Sequence, residues 1–225
     1  MLKTLINAAK HLVWFTSLDG SQLLYVNRVA ERIYGKPLKE LITKRNYWIE
    51  AIHPDDRKKV RKNLGQLLKR KHIEHDYRVC RPDGSVIWLH ERVSVIHDAN
   101  RKPQYVGGVG TDITAIRESE ALYSSLVESM PMHVVRKDMK GRVVFGNEMY
   151  CRAMGKPLEE LIGKTDADLF PEELAKKYRL DDRRVVKSGS VFNTVEAHVN
   201  PKGDHVYMEV LKGPIHDAVG DISGI

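Results

Sequence analysis

Long apolar runs and clustered cysteines are both absent from this sequence of 225 residues. No run approaches the roughly 18–20 apolar residues that a membrane-spanning helix needs. The two cysteines, Cys80 and Cys151, stand in different halves of the chain, which predicts neither a disulfide framework nor a metal site. The N-terminus has no long apolar core and no A-x-A cleavage site, so we predict an amphipathic helix there and no signal peptide. Together these features favour a protein of the reducing cytoplasm.

The net charge of +7 comes from one segment of the chain. Residues 57–71 contain eight basic residues and no acidic residue, and removing those eight charges from +7 leaves −1 for the rest. We interpret this segment as the solvated face of one helix. Contact with nucleic acid or an anionic membrane is the alternative, but the segment lacks aromatic side chains that could stack on bases. We therefore expect neither partner.

An internal duplication organises the sequence. YGKPLKELITK (34–44) and MGKPLEELIGK (154–164) are identical at eight of eleven positions, at an offset of 120. Asn27 and Asn147 keep this offset upstream of the match. Downstream, RPDGSVIWLHERVSVIHD (81–98) faces NPKGDHVYMEVLKGPIHD (200–217) at an offset of 119. The chain therefore contains two related units.

Each unit has the same order of local signals. A glycine turn joins two short apolar strands, an asparagine follows and can cap the next helix, and a further glycine turn joins two longer strands. This order predicts an α+β fold of two domains, each a five-stranded antiparallel sheet with helices on one face. We place the first domain at 1–114, a connecting helix at 115–131 and the second domain at 132–225.

An amphipathic helix is expected to lead into each domain. The apolar positions at helical spacing are Leu122, Leu126, Val127 and Met130 before the second domain, and Leu5, Ile6 and Ala9 before the first. Such stripes either cover a sheet face of their own chain or form a dimer seam, and the two functions are compatible. We expect a homodimer through these helices, with the connecting helix stiff enough to transmit a twist or a shift.

The ordered motifs of the two halves resemble those of tandem PAS domains. The first half contains WIEAIHPDDRKKV, then DYRVCRPDGSVIWLHERVSVIHD, then YVGGVGTDIT, and the second contains GKTDADLFPEELAKKYRLDDRRVVKSG. The resemblance implies an intracellular sensory and dimerisation module that passes a signal to an output domain, such as a histidine kinase or a diguanylate cyclase. It also assigns signal coupling between the last strand and the outgoing helix to Asp112, Ile113 and Thr114.

The second unit ends at GDISGI, before a counterpart of these three residues. We therefore expect a non-catalytic piece of a longer protein, with the output domain elsewhere in the parent chain. The sequence also contains no Ser-His-Asp order, glycine-rich phosphate loop or CxxC site, which argues against an enzyme.

The sequence gives little indication of the cofactors known from PAS domains. Neither cysteine lies in the Asn-Cys-Arg-Phe motif of flavin-binding members, and the long helices of both units lack the histidine that holds haem. His72 and His75 are three apart in a predicted strand, so they point to opposite faces and cannot share a metal ion. The cofactor is thus left unknown, with flavin and haem not expected.

A small molecule between the sheet and the helices remains possible. Trp48, Tyr77 and Trp88 are large amphipathic side chains expected near such a cavity, and Arg136 is a cation in an apolar strand that asks for a carboxylate if it points inward. A filled core and a surface arginine are the alternatives. The first hypothesis is a sensory module, and the second is a ligand-free protein–protein interaction module.

Overall fold

The computed structural model describes residues 10–43, 47–199 and 205–225. The chain divides into two compact units, Met1–Ala121 and Leu122–Ile225, and each is described by itself. The lead-in helix predicted around Leu5, Ile6 and Ala9 lies outside the described residues.

The first unit contains the predicted five-stranded antiparallel sheet. Its strands are β1 (Leu12–Ser17), β2 (Leu23–Val26), β3 (His72–Cys80), β4 (Val86–His97) and β5 (Pro103–Asp112). Their spatial order is β2-β1-β5-β4-β3, which makes β4 and β5 interior strands and β3 an edge strand. This architecture confirms the predicted fold class.

Within the described residues, five short helices lie between β2 and β3. They are α1 (Val29–Tyr34), α2 (Leu38–Thr43), α3 (Tyr47–Ala51), α4 (Pro54–Leu64) and α5 (Leu67–Arg70). Buried side chains alternate along β3 and β4, as in Tyr77, Val79, Ile87 and Leu89, and they share one core with Ile33 of α1. The helices therefore cover one face of the sheet, and the even-numbered residues of β3 and β4 lie on the other.

The basic segment forms two helices, where the sequence had suggested one. α4 ends at Leu64, α5 begins at Leu67, and Gly65 lies between them. Glycine is a poor helix former because it loses the most backbone entropy on ordering. Lys58, Lys62 and Arg70 are exposed, as expected for a solvated face.

The second unit repeats the order of hairpins and helices. A helix that crosses the boundary between the units, α6 (Thr114–Ser129), covers most of the predicted connecting segment. The strands are β6 (Val135–Lys137), β7 (Val143–Gly146), β8 (Phe192–Val199), β9 (His205–Lys212), β10 (Ile215–His216) and β11 (Ile222–Gly224). The helices are α7 (Glu148–Met154), α8 (Leu158–Leu161), α9 (Asp166–Leu169) and α10 (Glu172–Ser188).

The strands of the second unit pair as three antiparallel ladders, β6 with β7, β8 with β9, and β10 with β11. Lys137 and Ile225 exchange backbone hydrogen bonds of 2.8 and 3.0 Å, which ties the end of β6 to the chain beside β11. This contact corresponds to the pairing of β1 with β5 in the first unit.

Two buried asparagines perform the same structural task in the two units. Asn27 Oδ1 accepts a hydrogen bond from the Val13 amide, and Asn147 Oδ1 accepts one from the Val134 amide. Asn147 Oδ1 also accepts from the Tyr150 amide, so it caps α7 as the sequence indicated. The side chains therefore fix the first strand of each unit against the end of the second.

Among the helices of the described residues, none is long and apolar enough to cross a membrane.

Candidate functional site

A buried carboxylate lies at the centre of the first unit's inner sheet face. Glu91 of β4 accepts a hydrogen bond from Trp14 Nε1 at 2.7 Å on one oxygen and from the Tyr77 hydroxyl at 3.0 Å on the other. His75 Nε2 lies 3.3 Å from that second oxygen. Both oxygens are thus satisfied within the protein, which a buried charge requires.

The glycines of β5 make room for this network. A Cβ on Gly108 would lie 2.5 Å from the Trp14 ring, closer than side chains pack, so only glycine allows the indole to lie against the strand. Burial, and next the charge of Glu91, raise the pKa of Tyr77, which keeps its hydroxyl a donor at neutral pH.

The three aromatic residues predicted to line a cavity do not lie together. Tyr77 is in the core, whereas Trp48 lies on α3 with about a third of its surface exposed, 36%. Trp88 pairs with Arg78 across β3 and β4, on the face away from the helices. A cavity between the sheet and the helices would therefore not include Trp88, and that part of the prediction is corrected. Ligand binding by Tyr77 and Trp48 stays a prediction.

The junction between β5 and α6 is joined by hydrogen bonds to β4. Asp112 Oδ1 accepts from the amide and the hydroxyl of Thr114, at 3.0 and 2.6 Å. The Thr114 hydroxyl oxygen in turn accepts from the Trp88 amide at 2.9 Å, and the Ile113 amide donates to the Trp88 carbonyl at 2.9 Å. Asp112 thus binds the first residue of the helix, and the two bonds to Trp88 connect the junction to β4. A role in signal coupling for these three residues stays a prediction.

A second set of contacts joins α6 to the outer face of the sheet. Asp76 of β3 binds His90 Nδ1 of β4 and an Arg117 amino group of α6, each at 2.7 Å and each through a different oxygen. The Arg117 guanidinium lies 5.5 Å from the centre of the Trp88 ring. Partial burial would raise the pKa of Asp76, but the hydrogen bonds from His90 and Arg117 outweigh it and hold that pKa below its ordinary value.

The second unit has a buried ionic network between its strands and its long helix. Lys137 Nζ of β6 lies 2.7 Å from Asp166 of α9 and 3.0 Å from Asp182 of α10. Lys212 of β9 lies 2.7 Å from the other oxygen of Asp182, and also donates to the Tyr178 carbonyl at 3.2 Å. Two cations and two carboxylates thus connect two strands with two helices.

The charges of this network affect a neighbouring phenol. Burial, followed by the negative charge of Asp166, raises the pKa of Tyr150 to about 12. The phenol is consequently neutral across the physiological range.

The sequence left open whether Arg136 points inward or lies on the surface; the buried cation is its neighbour Lys137. A bulge separates the two in β6, and Lys137 shares a buried rung with Val143. Arg136 is half-buried, and its Nε has no hydrogen-bond partner within the described ranges. Its predicted role in ligand binding remains a prediction.

Asp182 and Glu91 were also missed, although the sequence contains a signal for both. The buried residues of α10 are Ala175, Tyr178, Asp182 and Val185, which is helical spacing, so Asp182 falls on an apolar stripe. Glu91 stands in phase with the inward residues of β4. Within the described parts of the chain, no group of three or more acidic, histidine or cysteine side chains could hold a metal ion.

Comparisons with known proteins point to one family. Two family models, both described as the PAS fold, match residues 23–110 and 127–225. The two-component sensor PprA of Pseudomonas aeruginosa is 23% identical over 72% of this chain. The methanogenesis regulatory histidine kinase FilI of Methanothrix harundinacea is 27% identical over 48% of it. The match covers only 18% and 12% of the lengths of these relatives.

Two solved structures are among those similar to part of this chain. A domain of a putative light and redox sensing histidine kinase from Haloarcula marismortui is 23% identical, with a TM-score of 0.42, over 50% of this chain and 97% of that chain. The N-terminal domain of a diguanylate cyclase with PAS/PAC sensor from Marinobacter aquaeolei is 23% identical, with a TM-score of 0.43, over 48% of this chain and 99% of that chain.

Proposed function

Because the chain belongs to the PAS family, with two PAS folds in tandem, we propose that its first unit passes a conformational signal from strand β4 to the outgoing helix α6. Such sensory modules act in signal transduction, and the relatives above include sensor kinases. The longer protein would contain the output domain and any catalysis, and the module would work inside the cell.

One observation supports this function above the others. Strand β4 contributes Glu91 to the buried inner network, and three residues earlier it contributes the Trp88 backbone to the α6 junction. A shift of β4 caused at its inner face would therefore move the group to which Thr114 is bonded. The strand links the core to the helix directly.

A double-mutant cycle tests this path. Glu91→Gln perturbs the inner network, Thr114→Val removes the hydroxyl bridge, and amide hydrogen exchange of residues 117–120 reports α6. We expect Glu91→Gln to accelerate exchange less when Thr114 is already valine, with a coupling free energy above about 0.5 kcal/mol, since unconnected sites add within that limit. Thr165→Val is the matched control, because it removes a helix-capping hydroxyl in the second unit. Additive effects of Glu91→Gln and Thr114→Val would contradict the path.

We propose that the module is a homodimer that uses the exposed side of α6. Ile116, Tyr123 and Leu126 are 53–59% exposed and, with Met130, recur at spacings of three, four or seven residues that suit a helix–helix seam. Light scattering at several concentrations tests this, with Leu126→Glu expected to shift the mass toward the monomer. Leu180→Glu is the control, since Leu180 is an equally exposed apolar residue on α10. A monomer at every concentration would refute the dimer.

A ligand-free interaction module is the second candidate. It is favoured by the inner network of the first unit, where Glu91 is already bonded to Trp14, Tyr77 and His75 and has no need of a ligand. Native mass spectrometry and an absorption spectrum of the purified chain decide between the two candidates. A retained metabolite or a chromophore supports sensing of a small molecule, whereas a bare mass supports the interaction module.

A further inference from the structure

We propose that Asp76 is a positioning residue for α6, which it holds against the outer face of the first unit's sheet through Arg117. We call Asp76, His90 and Arg117 the α6 latch. The inference rests on the proposed function, because the latch gains a role in signalling only where α6 transmits the signal.

The latch is a second attachment, separate from the junction at Thr114. Thr114 and Arg117 are three residues apart in a helix, so their side chains lie on neighbouring sides of its first turn. Thr114 is bonded to the backbone of β4, whereas Arg117 is bonded to a side chain of β3. Two fixed points on different strands define the direction of a helix, whereas one would leave it free to swing.

Asp76 is suited to hold Arg117 in place. The oxygen that does not bind Arg117 is bonded to His90 at 2.7 Å. The carboxylate is therefore held in place on the sheet independently of Arg117. A carboxylate held in this way loses less side-chain entropy when it binds a guanidinium, and charge-assisted bonds are the stronger class. The Arg117 guanidinium also lies near the Trp88 ring, which adds a cation–π contact.

An open groove of about 840 Å³ runs beside the latch, so α6 is not packed tightly on the sheet there. Trp88, Arg117 and Ala121 line this groove together with charged side chains of three elements. Because close apolar packing does not fill the space, the polar contacts of the latch have a large share in holding the helix.

Arg117 also has a second partner on its own helix. Glu120 of α6 lies 3.5 Å from the other amino group of Arg117, and its carboxylate moves with the helix. The further charged groups around Asp76 are Glu74 on its own strand and Lys59 of α4. When Arg117 leaves Asp76, it retains Glu120 as a partner, which lowers the free-energy cost of releasing the helix.

The duplicated unit shows that the latch is not part of the common scaffold. The rung Asp76–His90 of the first unit corresponds to the rung Val195–Glu209 of the second, because the offset is 119 on both strands. A valine cannot bind a guanidinium. The backbone pairing is shared by the two units, whereas the ionic contact belongs to the first alone.

Hydrogen exchange of α6 in the intact chain tests the latch. Asp76→Asn and Arg117→Gln should each accelerate exchange of residues 117–121 about two- to fivefold, the range for partly exposed ion pairs. The double variant should be no faster than the faster single variant, and Arg117→Lys should be intermediate because it retains only the charge. Arg142→Gln is the matched control, since it removes a similarly exposed ion pair with Asp138 in the second unit.

If the latch only stabilised the whole unit, its loss would accelerate hydrogen exchange in β3 and β4 as well. The proposal therefore requires that the exchange rates of the Tyr77 and Leu89 amides stay unchanged in the variants. The proposal is overturned if α6 exchanges at the original rate in both single variants, if the two effects add, or if the core strands accelerate equally. This test changes Asp76 and Arg117, whereas the cycle for the proposed function changes Glu91 and Thr114. Either proposal can therefore fail its own test while the other passes.

Discussion

Replacing Lys137 by methionine should destabilise the second unit and leave the first unaltered. The side chains of Lys137, Asp166 and Asp182 are only 9–11% exposed, so solvent screens their interaction little. Removing the lysine leaves Asp166 without its cation, while Asp182 keeps Lys212. Breaking a buried ion pair from one side costs about 3–5 kcal/mol, because an uncompensated charge stays in the interior. That is a large part of the 5–15 kcal/mol that typically stabilises a domain.

Urea unfolding followed by two probes measures this loss in the second unit alone. All three tryptophans, Trp14, Trp48 and Trp88, lie in the first unit, so fluorescence follows that unit and far-UV circular dichroism follows both. For a slope of about 1.5 kcal/mol/M, the loss lowers the midpoint of the second unit by about 2–3 M, and the fluorescence midpoint stays in place.

Two further variants sharpen the measurement of the Lys137 contribution. Adding Asp166→Asn to Lys137→Met should recover about 1–3 kcal/mol, since the unpaired charge is removed. Lys176→Met, which breaks an exposed pair with Glu172, should cost less than about 0.5 kcal/mol. A loss below about 1 kcal/mol in Lys137→Met, or an equal shift of the fluorescence midpoint, would refute the reasoning.

The remaining predictions concern the first unit and are measured by tryptophan fluorescence in urea. Glu91→Gln should cost about 1–3 kcal/mol, because an amide cannot accept on both sides of the network; an unchanged midpoint would contradict this. Gly108→Ala should cost about 1–3 kcal/mol by forcing Trp14 out of place, whereas Gly65→Ala, whose added Cβ meets its nearest neighbour at 3.5 Å, should be tolerated. Because the folded-state pKa of Asp76 is lowered, its carboxylate stabilises the fold above the unfolded pKa, and this stability is lost as pH falls through the folded pKa. The difference in free energy of unfolding between the original protein and Asp76→Asn should therefore narrow below about pH 4.

Much of the fold could be read from the sequence because its signals are local. The glycine turns, the asparagines and the alternation along β3 and β4 each depend on neighbours within a few residues. Asn147 forms the cap that its position before a helix predicted, whereas α1 begins one residue later than the position of Asn27 predicted, after Arg28, which makes no side-chain cap. Gly65 was the same kind of local signal, and it could have predicted that the basic segment is divided between two helices.

The side chains of the candidate sites were harder to predict because their partners are distant in sequence. Lys137 meets Asp166 and Asp182 across 29 and 45 residues. In a strand as short as β6, alternation cannot tell which of two adjacent cations points inward, and a bulge between Arg136 and Lys137 removes even that guide. Only the fold brings the carboxylates to one side and thereby selects the lysine.

The two units show how a duplicated scaffold can diverge in its interior. At the position of Glu91 the second unit has Val210, and its buried charges are at other positions, on β6, β9, α9 and α10. A buried charge needs partners, so moving one charged residue requires its partners to move with it, and the two networks cannot be exchanged one residue at a time. A ligand or a proton that acts on one inner face would therefore meet different chemistry on the other. The two units thus share one backbone design but have two separate sets of internal contacts. In the first unit the sheet is connected to α6 at two points, by the hydrogen bond from β4 to Thr114 and by the ion pair of Asp76 with Arg117.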